Sequence, residues 1–400
     1  MSKKLVLAYS GGLDTSVAIE WLKIHKGYEV IACAMDVGQA AEGEMERIRQ
    51  RALDCGASDA VIFDARAEFA DQFVAACIRA NGKYMGKYPL VSALSRPLIV
   101  KHLVEVAKAH GADAIAHGCT GKGNDQVRFD VAAMALAPHL TVEAPIREWG
   151  LTRDAALDFA AEHGIPVVAK KENPYSIDEN LWGRAAECGA LEDPWVAPPS
   201  DIYAMTTHPV DAPDTPEEVE LTFAGGIPVA LDGQVMDLFS IIATLNTRAG
   251  AHGIGRLDMV EDRLVGIKSR EVYEFPAAAV IMAAHEELEN LTVETELAVG
   301  MKDASAVWAK LVYNGLWYGP YKQALDAFFM QANTSIEGDV RLSMYKGTVA
   351  PTGRRSEKSL YQRGLATYDA SDEFDHSMAL GFVKLWGLPT KVWAETNGDQ

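Results

Sequence analysis

Ser10, Gly11, Gly12, Leu13, Asp14, Thr15 and Ser16 set two glycines among three hydroxyls and one acid. Glycine lets a backbone turn sharply and approach a ligand closely, because no Cβ intervenes. Hydroxyls donate hydrogen bonds, and the free N–H groups of a first helical turn attract negative charge. The chemistry these residues suit is the cradling of a phosphate or pyrophosphate. Asp14, Thr15 and Ser16 are equally good N-cap residues, and a Gly-Gly turn before a helix also serves structure alone. No lysine follows the glycines, so the segment is not G-x-x-x-x-G-K-[ST], and it is not G-x-G-x-x-G. A P-loop motor and a dinucleotide oxidoreductase are therefore disfavoured.

A second polar stretch, Gly118-Cys119-Thr120-Gly121-Lys122-Gly123-Asn124-Asp125-Gln126-Val127-Arg128-Phe129, reads as a loop just past a buried strand. Its spacing is wrong for a P-loop, and Gly123 stands where a magnesium-binding Ser or Thr belongs. A carboxylate pairs with an ammonium group, and a guanidinium grips a carboxylate bidentately. Asp125 and Arg128 together suit a zwitterionic amino acid. His117 reads as a satisfied strand-end histidine and Cys119 as a small space-filling residue.

The elements that must position these residues follow from periodicity. Apolar 5–9, then the glycine turn, then helical 17–22 read as strand, tight turn and helix N-terminus. Further strands are expected at 29–35, 60–63, 112–118 and 140–145. Helices are expected at 42–55, 67–80, 97–110 with Pro97 near its start, and 152–163 closed by Gly164. Alternating strands and helices imply an α/β domain with a parallel sheet, whose ligands bind beyond the carboxyl ends of the strands. Ser10, Met35 and Gly118 all fall at that edge. Prolines 174, 194, 198, 199, 209, 213 and 216 mark 170–217 as a boundary or ordered arm. Beyond it the pattern is mixed. Strands are expected at 220–223 and 227–230, turns near Gly253 and Gly266, and a hairpin of 341–345 with a partner near Val349. Helices are expected at 235–250, 277–288 and 304–330. The stretch 371–386 carries Phe374, Met378, Leu380, Phe382, Val383, Leu385 and Trp386, which suits docking onto another subunit or packing on its own domain.

Composition bounds the partners. The chain has 400 residues, enough for two or three domains, and a net charge of -19 that repels nucleic acid and anionic membranes. Five cysteines without a C-x-x-C pair fit reduced thiols in the cytoplasm and give no metal site. The start, Met1-Ser2-Lys3-Lys4, lacks a signal-peptide apolar region, and the longest apolar run, 275–284, is too short to span a bilayer.

Taken in order, four segments resemble the argininosuccinate synthase family. Ala8-Tyr9-Ser10-Gly11-Gly12-Leu13-Asp14-Thr15-Ser16 is similar to the loop that this family shares with other adenylating enzymes of the ATP-pyrophosphatase type. The stretch 118–129 is similar to the segment that singles out argininosuccinate synthases among them. The stretch Asn173-Pro174-Tyr175-Ser176-Ile177-Asp178-Glu179-Asn180-Leu181-Trp182 and the pair 260–263 and 268–274 also fit. The resemblance covers nearly the whole chain. It implies an ATP-pyrophosphatase (adenine nucleotide alpha hydrolase-like) nucleotide-binding domain at 1–168, an α+β synthetase domain at 169–363, and a C-terminal oligomerisation segment at 364–400 of a cytoplasmic homotetramer. It implies ligation of L-citrulline to L-aspartate with ATP, with Mg2+ carried on the nucleotide.

Position by position, the resemblance implies these roles. ATP is held by Ala8, Tyr9, Ser10, Gly11, Gly12, Leu13, Asp14, Thr15 and Ser16, with Met35 and Gly118 beside the adenosine. Aspartate is held by Thr120, Asn124 and Asp125. Citrulline is held by Tyr88, Asn124, Arg128, Ser176, Glu261 and Tyr273. Asp14, Asp125 and Arg128 are the residues expected to carry the chemistry. Ala93 and Ala185 stand where some family members have serine, and Ser92 or water is the expected substitute at 93. A glutamine-dependent relative is disfavoured because no glutaminase module is present, and a tRNA thiolase because cysteine pairs and basic surface are absent. A nucleotide sensor would have no need of two amino-acid pockets.

Overall fold

The computed structural model describes residues 3–166 and 174–398. The chain divides into two compact units, Met1–Lys358 and Ser359–Gln400. In the first, strands β1 (Lys3–Ala8), β2 (Tyr28–Asp36), β3 (Asp59–Asp64), β4 (Ala114–Ala116) and β5 (Thr141–Glu143) form a parallel sheet in the order β3-β2-β1-β4-β5. Successive side chains of a strand face opposite sides, and both sides here are apolar. Leu5 and Leu7 pack with Val17, Ile19 and Leu22 of helix α1 (Leu13–Lys26), while Val6 packs with Leu94, Leu98 and Leu103 of helix α2 (Val91–His110). The order reverses beside β1, so the loops leaving β1 and β4 diverge and open a crevice at their carboxyl ends.

Strands β6 (Ser176–Asn180), β7 (Gly183–Glu187), β8 (Glu217–Ala224), β9 (Ile227–Leu231), β10 (Gln234–Val235), β11 (Arg256–Asp262), β12 (Lys268–Glu274), β13 (Gly338–Tyr345) and β14 (Thr348–Arg355) build two antiparallel sheets. Their orders are β11-β12-β7-β6 and β10-β9-β8-β13-β14. The 341–345 hairpin is present, as β13 paired with β14.

Several expected elements are corrected. Helix α2 begins at Val91, so Pro97 lies in its interior, where its ring removes the N–H that would bond the Ala93 carbonyl. Apolar Val91, Ala93 and Leu94, all buried, draw the preceding residues into the helix. The second polar stretch is only half a loop: from Asp125 it is the first turn of helix α3 (Asp125–Leu136). The expected helix 304–330 is two, α4 (Thr295–Tyr313) and Pro320–Ala332. Gly315 at φ +79° ends the first, and Pro320 starts the second. The stretch 170–217 contains the hairpin β6–β7, and the turn-rich stretch near Gly253 and Gly266 is the hairpin β11–β12. Strand β5 stops at Glu143, and Pro145 opens a short helix instead. Val235 belongs to β10, and the helix after it is Leu238–Ala251, capped by Asp237.

In the second unit, Asp375 caps the helix His376–Trp386, and a helix Leu388–Asn397 follows. Phe382 stacks on Trp386 with ring centroids 5.7 Å apart. Phe374, Met378, Leu380, Phe382, Val383, Leu385 and Trp386 are exposed. Among the described residues no helix is long and apolar enough to cross a membrane.

Candidate active site

The crevice at the sheet edge is a cleft of about 890 Å³. One wall is the turn from β1 into α1. Gly12 is the N-cap of α1 and offers no side-chain acceptor. The first intrahelical bond runs from Ser16 N–H to the Gly12 carbonyl, 3.0 Å, so the earlier N–H groups of the turn precede the ladder. Asp14, Thr15 and Ser16 therefore do not cap this helix. Ser10 Oγ and Thr15 Oγ1 lie 3.1 Å apart at the cleft, and Asp14 stands beside them. Burial pushes the Asp14 carboxyl up, with Arg153 pulling the other way. Ser16 turns inward: its hydroxyl lies 3.0 Å from Tyr9 Oη, and the residue is buried. Gly11, Gly12, Leu13 and Ser16 are not lining residues, whereas Ala8, Tyr9, Ser10, Asp14 and Thr15 are.

Met35 and Gly118, at the ends of β2 and β4, also line the cleft. The Met35 carbonyl is taken by Gln39 Nε2 at 2.9 Å. At Gly118 a Cβ would stand 2.8 Å from Thr15 Cγ2, so only glycine lets β4 pass this close to the α1 turn. Behind it, His117 Nδ1 accepts the Cys119 N–H at 3.2 Å and Nε2 donates to Asp130 at 2.8 Å. That pairing makes His117 a buried structural histidine. The Cys119 thiol is raised by burial and then by Asp125, which removes it as a nucleophile.

The second wall is the 118–129 stretch. Asp125 binds two arginines. Its Oδ2 accepts from Arg96 Nη2 at 2.7 Å and Nε at 3.0 Å, and its Oδ1 accepts from Arg128 Nη1 at 2.8 Å. Burial works against the charge, but Arg96 and Arg128 outweigh it and hold the Asp125 carboxyl at about 2. Arg96 Nη2 also meets Asp178 of β6 at 2.9 Å. Asn124 Oδ1 accepts the Leu264 N–H at 2.9 Å, which leaves its amide nitrogen free to donate into the cleft.

The third side comes from β7, β11, β12 and α4. Glu261 is buried and receives a phenol on each oxygen, Tyr273 Oη at 2.8 Å and Tyr313 Oη at 2.5 Å. Tyr88 stacks on Tyr273 at 4.1 Å, and its hydroxyl accepts the Ser92 N–H at 2.9 Å. Arg263 pairs with Glu187 and, at 2.7 Å, with Glu271. Burial, with Glu187 and Glu261 close by, pushes Glu271 up to about 9 even against Arg263. The hairpin β6–β7 is tied to the start of α2 by Asn180 Nδ2 to the Val91 carbonyl, 2.8 Å, and Trp182 Nε1 to the Pro89 carbonyl, 3.0 Å.

The cleft thus gathers Tyr88, Thr120, Asn124, Asp125, Arg128, Ser176, Glu261 and Tyr273 with the β1–α1 turn. Ala185 and Ser92 line it as well, and Ala93 is buried in the core. Asn173 lies outside the described residues. Sequence reasoning missed Arg96, Asp178, Glu187, Arg263, Glu271 and Tyr313, all of which line the same cleft. Asp178, Arg263 and Glu271 sat inside recognised segments. Arg96, Glu187 and Tyr313 belong to no motif, and only the fold brings them in.

Two family models match the chain, the "Arginosuccinate synthase N-terminal HUP domain" over residues 4–166 and the "Arginosuccinate synthase C-terminal domain" over residues 175–393. The chain belongs to the argininosuccinate synthase family. A relative from Oceanobacillus iheyensis, named argininosuccinate synthase, is 52% identical over 398 residues, covering 100% of this chain and 95% of the relative. Relatives of that name from Listeria monocytogenes serotype 4a and Limosilactobacillus reuteri are each 54% identical, over 99% of this chain and 97% and 96% of their own lengths. The chain is therefore an enzyme of this family, a ligase that uses ATP through its HUP domain. The observed α/β fold, a five-stranded parallel sheet with antiparallel sheets beyond it, agrees with the expected class.

Proposed function

We propose that this chain joins L-citrulline to L-aspartate at the expense of ATP, giving argininosuccinate, AMP and pyrophosphate in arginine biosynthesis. The observation that carries the reading is a single cleft holding an uncapped helix N-terminus at the sheet's switch point and, across from it, a buried arginine and a buried glutamate. The first suits a polyphosphate, and the second pair suits the two charges of an α-amino acid.

In the first step the citrulline ureido oxygen attacks the α-phosphorus of ATP and pyrophosphate leaves. The β1–α1 turn, through its N–H groups, Ser10 and Thr15, receives the charge on that leaving group. Gly11, Gly12 and Leu13 shape the turn, and Ser16 steadies it through Tyr9. Met35 and Gly118 flank the adenosine. Mg2+ carried on the triphosphate would neutralise charge on the departing pyrophosphate, and Asp14 is the hard oxygen donor of the turn that would stand beside it. In the second step the aspartate amine attacks the activated ureido carbon, AMP leaves and the nitrogen sheds a proton. Thr120 and the Asn124 amide hold the aspartate carboxylates, and Asp125 orients the amine. A carboxyl held at about 2 is too weak a base to take that proton, so Asp125 positions and does not deprotonate. Arg128 takes the citrulline carboxylate and Glu261 its ammonium, with Tyr88, Ser176 and Tyr273 along the side chain.

The proposed domain division is 1–168, 169–363 and 364–400, and the proposed state is a cytoplasmic homotetramer joined partly through the last segment. Citrulline labelled with ¹⁸O at the ureido position tests the chemistry. The label is expected in AMP, and its retention in argininosuccinate refutes the adenylate route.

A further inference from the structure

Tyr313 is the last residue of α4, buried, and lines the cleft. It touches two charged residues that line the cleft, Glu261 and Arg128. Its hydroxyl donates to Glu261 Oε1 at 2.5 Å. Its carbonyl accepts from Arg128 Nε at 3.0 Å, and the Arg128 guanidinium carbon lies 5.0 Å from its ring centroid. Gly315, at φ +79°, is what lets the end of α4 come so close: a Cβ there would stand 3.0 Å from Arg128 Cα. The ring also stacks on Tyr84 at 3.6 Å and 5°, and Tyr84 Oη donates to the Asp262 carbonyl at 2.8 Å. The ring is thus clamped, and one rigid side chain fixes an acid from β11 and a base from α3 in one geometry. Burial and the neighbouring Glu261 hold the phenol well above its ordinary range, so it stays a donor.

We infer that Tyr313 is the positioning residue that sets the spacing of Arg128 and Glu261 and so selects a substrate bearing both charges of an α-amino acid on the citrulline side. This rests on the proposal that these two residues bind the citrulline α-carboxylate and α-ammonium. With Nε bonded to the Tyr313 carbonyl and Nη1 to Asp125, Arg128 keeps Nη2 for substrate. Glu261, with one phenol on each oxygen, keeps further lone pairs for substrate.

Tyr313→Phe tests this, because it keeps the ring, the stack and the carbonyl and removes only the hydroxyl. The measurement compares kcat/KM for citrulline with that for 5-ureidopentanoate, which is citrulline without its α-ammonium group. The preference for citrulline is expected to fall roughly tenfold in the variant, the loss of one hydrogen bond to a charged group. The KM values for ATP and aspartate, and kcat at saturating citrulline, are expected to stay near wild type. On a Glu261→Gln background the same substitution should add little, since the hydroxyl acts through that carboxylate. An unchanged preference, or all three KM values rising together with a falling melting temperature, overturns the inference. If the wild type itself makes no pyrophosphate with citrulline, the parent reading fails, a result seen before any variant is made.

Discussion

Replacing Arg128 by alanine should damage citrulline recognition and leave ATP binding intact. The residue is 5% exposed, and its Nε and Nη1 are already bonded to the Tyr313 carbonyl and to Asp125. Truncation removes the cation proposed to hold the citrulline carboxylate and leaves Asp125 with Arg96 alone. Losing one member of a buried charged contact costs about 2–5 kcal/mol. At 1.4 kcal/mol per factor of ten, the citrulline KM should rise roughly 30-fold at the lower figure and more than 1,000-fold at the upper. Arg128→Lys keeps the charge but loses the fork, so it should fall between wild type and alanine. The β1–α1 turn makes none of the Arg128 hydrogen bonds, so the ATP dissociation constant should stay within about twofold. The assay is pyrophosphate release with citrulline varied and ATP and aspartate saturating, paired with calorimetric ATP binding. A citrulline KM within twofold of wild type, or ATP binding lost in step with it, refutes the reasoning.

Gly118→Ala should raise the ATP KM severalfold with little effect on citrulline, because the new Cβ meets Thr15 Cγ2 at 2.8 Å and must push the turn aside; an unchanged ATP KM counts against the close approach. Glu289 has its carboxyl pushed up to about 7, chiefly by burial and then by Glu286. Below its ordinary value of 4.5 it is protonated folded or unfolded; between there and about 7 only the unfolded chain ionises, so stability falls as pH rises. Glu289→Gln mimics the protonated form and should gain about 2–3 kcal/mol at pH 8 and nothing near pH 4 in denaturant titrations; a pH-independent difference contradicts this. For the proposed homotetramer, Phe382→Asp with Trp386→Asp should shift the molar mass in light scattering towards smaller species while the first unit's melting transition persists; an unchanged mass removes the 364–400 segment from the proposed interface.

The parallel sheet and its cleft were legible because their signals are local. A strand, two glycines and a hydroxyl cluster carry their meaning within a few residues, and buried parallel strands are continuous apolar runs. The 118–129 stretch was legible in chemistry but not in shape. Its dense polar start hid the helix that begins at Asp125, since first-turn residues of a helix look like a loop. The hairpins β6–β7 and β11–β12 were obscured for a related reason: cleft-facing polar residues such as Asp178, Glu187, Glu261 and Glu271 break the alternation expected of a half-buried strand. Arg96 was hidden inside an α2 whose start was placed six residues too late, at Pro97. Tyr313 reaches its partners across 185 residues of sequence from Arg128 and 52 from Glu261, a distance no local pattern reports. The break between α4 and the next helix was written in Gly315 and Pro320, but the apolar periodicity on both sides outweighed it.

The central claim is that one cleft couples ATP cleavage to two amino acids. Pyrophosphate release by the purified chain, followed with ATP alone, with citrulline, with aspartate, and with both, tests it most directly. Release is predicted only when citrulline is present, with argininosuccinate formed only when aspartate is added as well. Pyrophosphate appearing without citrulline, or in none of the four mixtures, would contradict it.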